Sequence, residues 1–196
     1  LRAAIEDGWA GIWLALGLGV AVAATTIAAA HPFVTAVGGS AAVLDQAAVY
    51  LRISALGLPA LLVIMAATGI LRGLLDTRTP MLVAGVGFSA NAVLNVLLVH
   101  GLDMGIAGAA WGSVIAQVGM ALVLVGVVAH HSRSHGSSPR PHLARVLRSA
   151  ADGFPLLVRT LALRAILLLT VWTAAGLGDV PLAAHQVSMT IWSTLA

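Results

Sequence analysis

The strongest constraint on this chain is a repeated run of about 20 apolar residues, the length of a helix that crosses a ~30 Å hydrocarbon core. Such runs cover residues 9–30, 53–71, 81–100, 105–129 and 154–175, and a sixth begins near Leu182. The first four carry no charged side chain, and the fifth carries only Arg159 and Arg164. Hydrophobic residues make up 60% of the chain, charged residues 9%, and the mean hydropathy is +1.01. A soluble domain carries roughly 25% charged residues, so this chain has too few to cover a water-facing surface. The expected fold class is all-α, a polytopic transmembrane helical bundle with the lipid bilayer as its partner.

The charges that remain orient the spans. All ten basic residues are arginine. Arg2, Arg72, Arg78, Arg133, Arg140, Arg145 and Arg148 fall on one side by the alternation of spans, and Arg52 falls on the other. This asymmetry puts the 72–80 and 130–152 segments in the cytoplasm. It also accounts for the net charge of +3 without nucleic acid as a partner. The chain has no cysteine, which excludes disulfides and thiolate metal sites. It starts at Leu1 and stops inside an apolar run at Ala196, the pattern expected of a piece of a longer protein.

The connections have their own expected structure. His31-Pro32 closes the first span, and residues 31–52 form a moderately polar loop. In the loop Arg72-Gly-Leu-Leu-Asp76-Thr77-Arg78-Thr79-Pro80, Arg72 and Asp76 pair at i, i+4 if the helix continues that far. Thr79 caps the next helix and Pro80 fits its first turn. Residues 130–152 hold His130, His131, His135 and His142 among Ser, Pro and Arg, the composition of a solvated linker, and no metal site is assigned to them.

No catalytic motif is present, and an enzyme is not expected. The seven acids, Glu6, Asp7, Asp45, Asp76, Asp103, Asp152 and Asp179, lie at span ends or in loops. The polar content of the spans is different in kind. Asn91 and Asn95 share a face of the third span, and Ser113 and Gln117 share a face of the fourth. Facing pairs of this sort either bond between helices or line a cavity for an ion or polar ligand. Gly105, Gly112, Gly119 and Gly126 recur every seven residues, and Gly108 with Gly112 makes a small-xxx-small pair for close packing. Pro59, two residues after Gly57, kinks the second span as a hinge or a static bend. Arg164 lies deep in the fifth span and needs a partner there, whether a carbonyl, a substrate or another helix. His185 and Gln186 open the sixth, as interface residues or a proton sensor.

Five segments then carry a resemblance, in order. They are Tyr50-Leu-Arg-Ile-Ser-Ala-Leu-Gly57-Leu-Pro59, Leu71-Arg-Gly-Leu-Leu-Asp-Thr-Arg-Thr-Pro80, Asn91-Ala-Val-Leu-Asn95, Gly105-Ile-Ala-Gly-Ala-Ala-Trp-Gly-Ser-Val-Ile-Ala-Gln117 and Leu182-Ala-Ala-His-Gln-Val187. Together they resemble the multidrug and toxic compound extrusion (MATE) transporters, in particular the DinF-like branch. The resemblance implies a twelve-helix, two-lobe protein of which these spans are the third to eighth helices. Residues 1–129 would then belong to the N-lobe, 130–152 to the inter-lobe linker and 153–196 to the start of the C-lobe. It implies efflux of small amphipathic or cationic substrates by alternating access, coupled to H+ or Na+, with no cofactor. The working form would be a monomer, multi-pass in a bacterial inner membrane, completed by the remainder of the transporter.

The resemblance places Asn91, Asn95 and Ser113 at the coupling positions of the N-lobe. Several family members carry aspartate where this chain has Asn95. Asparagine does not titrate near neutral pH, so the proton-carrying group is expected elsewhere in the complete transporter. Two further readings stay open: a lipid-linked sugar flippase of the same superfamily, and an inactive truncated remnant.

Overall fold

The computed structural model describes residues 2–37, 41–134, 143–176 and 188–190. Every long element among them is helical. The helices are α1 (Arg2–Val37), α2 (Ala41–Ala55), α3 (Leu58–Gly73), α4 (Arg78–Val96), α5 (Gly105–Ser134) and α6 (Leu143–Gly176). A π-helical turn, Leu97–Gly101, extends α4. Five stretches are long and apolar enough to span a bilayer: Ile5–Thr35, Val43–Gly73, Arg78–Gly101, Gly105–Ser134 and Val146–Thr173. The chain divides into two compact units, Leu1–Ser149 and Ala150–Ala196, with the division inside α6.

The helices overrun the apolar runs at most ends. α1 continues through Pro32 to Val37, so His31-Pro32 does not close it. The 31–52 segment is helix on both sides of residues 38–40, and the second span begins at Val43 instead of residue 53. The reason is length. A stretch of 31 residues reaches at most about 46 Å at 1.5 Å per residue, more than a ~30 Å hydrocarbon core requires, and Asp45 and Arg52 stand at exposed positions in its first half. α5 likewise runs into the expected linker and ends at Ser134 with His130 and His131 in its final turns. His135 and His142 lie outside the described residues.

The α3–α4 turn is built differently from expectation. α3 stops at Gly73, so Arg72 and Asp76 do not share a helix. Asp76 N–H donates to the Leu71 carbonyl (2.9 Å) and Leu75 N–H to Arg72 (3.0 Å), a Schellman closure. That closure holds Leu75 at φ 64, a left-handed conformation usually taken by glycine. Thr77 stands at the N-cap position of α4, and the side chain that caps the helix is Asp76, not Thr79: its Oδ1 accepts the Thr79 N–H at 3.0 Å. Thr79 lies inside the helix, and its side chain and backbone N–H hold the Asp76 carboxyl below its ordinary pKa.

Within the first unit α5 is the hub, packed on α2, α3 and α4. It is apolar on all sides, as a central helix must be. The core sits at the arginine-rich end. Ile5, Trp9 and Ile12 of α1 interlock with Val63, Ala67 and Leu71 of α3 and with Ala121, Leu124 and Val128 of α5. Trp9 Nε1 donates to Ser132 Oγ at 3.2 Å, joining positions 123 residues apart. α4 packs on α5 by one narrow edge, with only Pro80 and Gly87 buried in it.

Candidate functional site on the central helix

The first half of α5 carries a polar seam. α4 runs antiparallel to it, which brings Asn91 opposite Ser113 and Asn95 opposite Gly112. Ser113 Oγ donates to the Ala109 carbonyl at 3.1 Å and lies 3.5 Å from Asn91 Oδ1, at the outer limit of a hydrogen bond. A hydroxyl has one proton, so the intrahelical bond takes it. The Asn91 contact is the weaker of the two.

Asn95 is the exceptional member. Its Oδ1 is buried and has no hydrogen-bond partner among the described residues. It occupies the space that a Cβ on residue 112 would fill, so Gly112 is what admits it. One turn earlier on α5, a Cβ at Gly108 would stand 2.8 Å from the Leu98 carbonyl. The two helices therefore cross backbone to backbone here. Beyond Asn95 the helix loosens: Leu102 N–H reaches the Leu97 carbonyl (3.1 Å), an i to i+5 bond.

Gln117 does not join this group. Its carboxamide turns toward α2 and α3 and fills the space of a Cβ on Gly57. The i, i+4 pair on α5 thus serves two different neighbours. Near Gln117, Ser54 Oγ is also buried without a partner among the described residues. The heptad of glycines divides in the same way. Gly112 meets α4, whereas nothing lies within 4 Å of a Cβ at Gly119 or Gly126, and Gly105 adopts φ +55 at the start of the helix. Within that series the close approach comes from Gly112 alone, and Gly108, outside the series, supplies the other. A seven-residue period drifts by only about 20° per heptad on a straight helix, so the stripe stays near one face, and its backbone contact with α4 is confined to the Gly112 end.

Apolar grooves lie along α5. One of about 370 Å³ lies between α1, the α2–α3 kink and α5, and is lined by Trp9, Trp13, Leu16, Pro59, Val63 and Leu122 among others. Another of about 460 Å³ lies between α4 and α5. A shallow cleft of about 330 Å³ at the opposite end from the core holds Asp45 and Asp103. No cluster of three His, Cys, Asp or Glu residues able to hold a metal occurs among the described residues.

Set against known proteins, residues 6–97 match the MatE family model. Protein DETOXIFICATION 43 of Arabidopsis thaliana is 38% identical over 151 residues, which is 77% of this chain and 28% of that protein. The DNA damage-inducible protein F of Escherichia coli K12 is 34% identical over 187 residues, 91% of this chain and 40% of that protein. The chain belongs to the MATE family. This MATE chain spans between a quarter and two fifths of the length of these curated relatives. Its fold is that of solved family structures. A MOP superfamily transporter from Pyrococcus furiosus superposes with a TM-score of 0.75 at 21% identity, over 95% of this chain and 43% of that one. The crystal structure of a MATE protein in the bent conformation gives 0.75 at 19% identity, over 97% and 48%.

Of the remaining candidates of the MATE chain, one belongs to the second unit and two fall outside the described residues. Arg164 is on α6, in the second unit. His185 and Gln186 lie outside the described residues. Ser54 was missed because a lone serine in an apolar span carries no pattern. Its position three residues before Gly57 and five before Pro59 was the available signal, since a kink opens the backbone around it.

Proposed function

We propose that this chain supplies part of the translocation pathway of a multi-pass exporter. Small amphipathic or cationic molecules would leave in exchange for H+ or Na+, by alternating access. The observation that carries this reading is the Asn95 carbonyl oxygen, buried in a membrane span with no hydrogen-bond partner among the described residues. A lone acceptor in hydrocarbon is costly, and packing alone has no use for it. It fits a site whose occupant is a cation, a protonated group or another helix of the complete transporter. The apolar groove between α4 and α5, beside the seam, suits the hydrophobic part of an amphipathic molecule. Because Asn95 does not titrate, the coupling proton or ion would need an acidic partner elsewhere in the complete transporter. Placement in a bacterial inner membrane belongs to the same proposal, because the relatives include a chloroplastic protein of Arabidopsis thaliana as well as the Escherichia coli one.

The test is dye extrusion from an efflux-deficient bacterium expressing the reading frame that contains this chain. Asn95→Ala is expected to cut extrusion of cationic dyes about tenfold, the equivalent of about 1.4 kcal/mol of lost interaction. Asn95→Asp is expected to retain extrusion but to make it depend on pH. Full extrusion by Asn95→Ala at wild-type expression would remove Asn95 from the pathway.

A further inference from the structure

The second span contains a break that its own helix does not repair. Pro59 has no N–H, so the Ala55 carbonyl loses its i+4 donor. Leu56 N–H and Gly57 N–H fold back onto the Ile53 and Ser54 carbonyls, both at 3.0 Å, in a tightened turn. Regular spacing resumes when Leu61 N–H reaches the Gly57 carbonyl at 2.9 Å. Inside a bilayer no bulk water stands ready for the freed groups.

Two neighbours grip the break from either side. Gly19 of α1 lies against Pro59, where a Cβ would come within 2.5 Å of the proline Cα. From the other side the Gln117 carboxamide fills the space beside Gly57. One turn before the break, Ser54 Oγ is buried without a partner among the described residues. A carboxamide both donates and accepts, so it can serve an open carbonyl, an open N–H or a hydroxyl. A leucine at 117 would fill the same space and do none of this.

We propose that Gln117 is the latch of the α2–α3 kink. Its Oε1 lies beside Gly57, and its Nε2–H would donate to the Ala55 carbonyl released by Pro59 in one state and to Ser54 Oγ in the other. Exchange between the two states lets α2 pivot on α3, with the Gly19 contact at Pro59 as the fulcrum. The latch differs in place and role from the Asn91, Asn95 and Ser113 group, and it stands whether or not the transport reading holds.

The chain lacks cysteine, so label pairs can be placed on a clean background. Val43 on α2 and Met65 on α3 are exposed and flank the kink. Nitroxides on Val43→Cys and Met65→Cys report the kink by pulsed spin-label distances in lipid nanodiscs. Gln117→Met, which keeps length and removes hydrogen bonding, is expected to broaden the distance distribution about twofold. Adding Pro59→Ala, which restores the N–H, is expected to narrow it again. Ser54→Ala, which leaves the latch only its backbone partners, is expected to give a single narrow distribution. Gly119→Ala points into open space and controls for general loosening. An unchanged distribution in Gln117→Met overturns the proposal, as does equal broadening in Gly119→Ala.

Discussion

The two halves of α5 are made for different tasks. Its second half presents Ala121, Leu124 and Val128 to α1 and α3, and the Trp9–Ser132 bond closes the end of that contact. Its first half presents Gly108, Gly112, Ser113 and Gln117. Around that first half gather the kink at Pro59, the π-helical turn, and Ser54 Oγ and Asn95 Oδ1, buried without partners among the described residues. In lipid the apolar face of a helix gains little from leaving its solvent, so fit decides what packs firmly. The second half obtains fit by interlocking side chains. The first obtains it by bringing backbones together, and it leaves polar groups that can change partners. One helix thus joins a fixed region to an adjustable one.

Truncation should separate the halves most strongly. Leu124→Ala, at a fully buried position of the apolar half, is expected to destabilise by about 3 kcal/mol through the cavity it leaves. Denaturation of the protein in mixed micelles measures it. In the polar half an addition is the sharper tool. Gly108→Ala pushes a methyl against the Leu98 carbonyl and should cost about 2 kcal/mol by forcing α4 and α5 apart. Full tolerance of Leu124→Ala would break the account of the apolar half, and full tolerance of Gly108→Ala that of the polar half.

The smallest effect concerns the turn beyond the core. Hydrogen bonds from Thr79 lower the Asp76 pKa below 3.8 in the folded chain. A lowered carboxylate pKa adds stability that is fully present above the unfolded value. That stability is lost as pH falls from about 4 through the folded pKa. Asp76→Asn should therefore lower stability slightly at neutral pH and flatten the acid side of the stability profile, read by denaturation between pH 3 and 7. An acid limb that matches the wild type would show that Asp76 does not hold the turn.

How much of this was legible depended on whether the signal was local. Four charge-free runs announced the spans, because lipid selects for length and apolarity directly. Pro59 announced a kink, because a missing N–H acts on its own helix. The spacing of Asn91, Asn95 and Ser113 placed them on faces that do meet. Helix ends were harder. Pro32 and Arg52 read as loop residues, yet both sit in helix, since a stretch longer than the hydrocarbon core requires tolerates them. Thr79 had the chemistry of a cap, but Leu75 in the left-handed conformation moved the cap to Asp76. Gln117 shares a spacing with Ser113 and turns to another neighbour, because where α2 and α3 lie is a fact of packing. The Trp9 and Ser132 contact spans 123 positions and leaves no trace in any local pattern.

Amide hydrogen exchange of the protein in lipid nanodiscs tests the division most directly. Residues 54–59 and 95–101 should exchange at least tenfold faster than residues 63–71 and 121–128, about 1.4 kcal/mol less protection. Equal protection of the two sets, or slower exchange around the kink and the π-helical turn, would contradict a fixed half joined to an adjustable one.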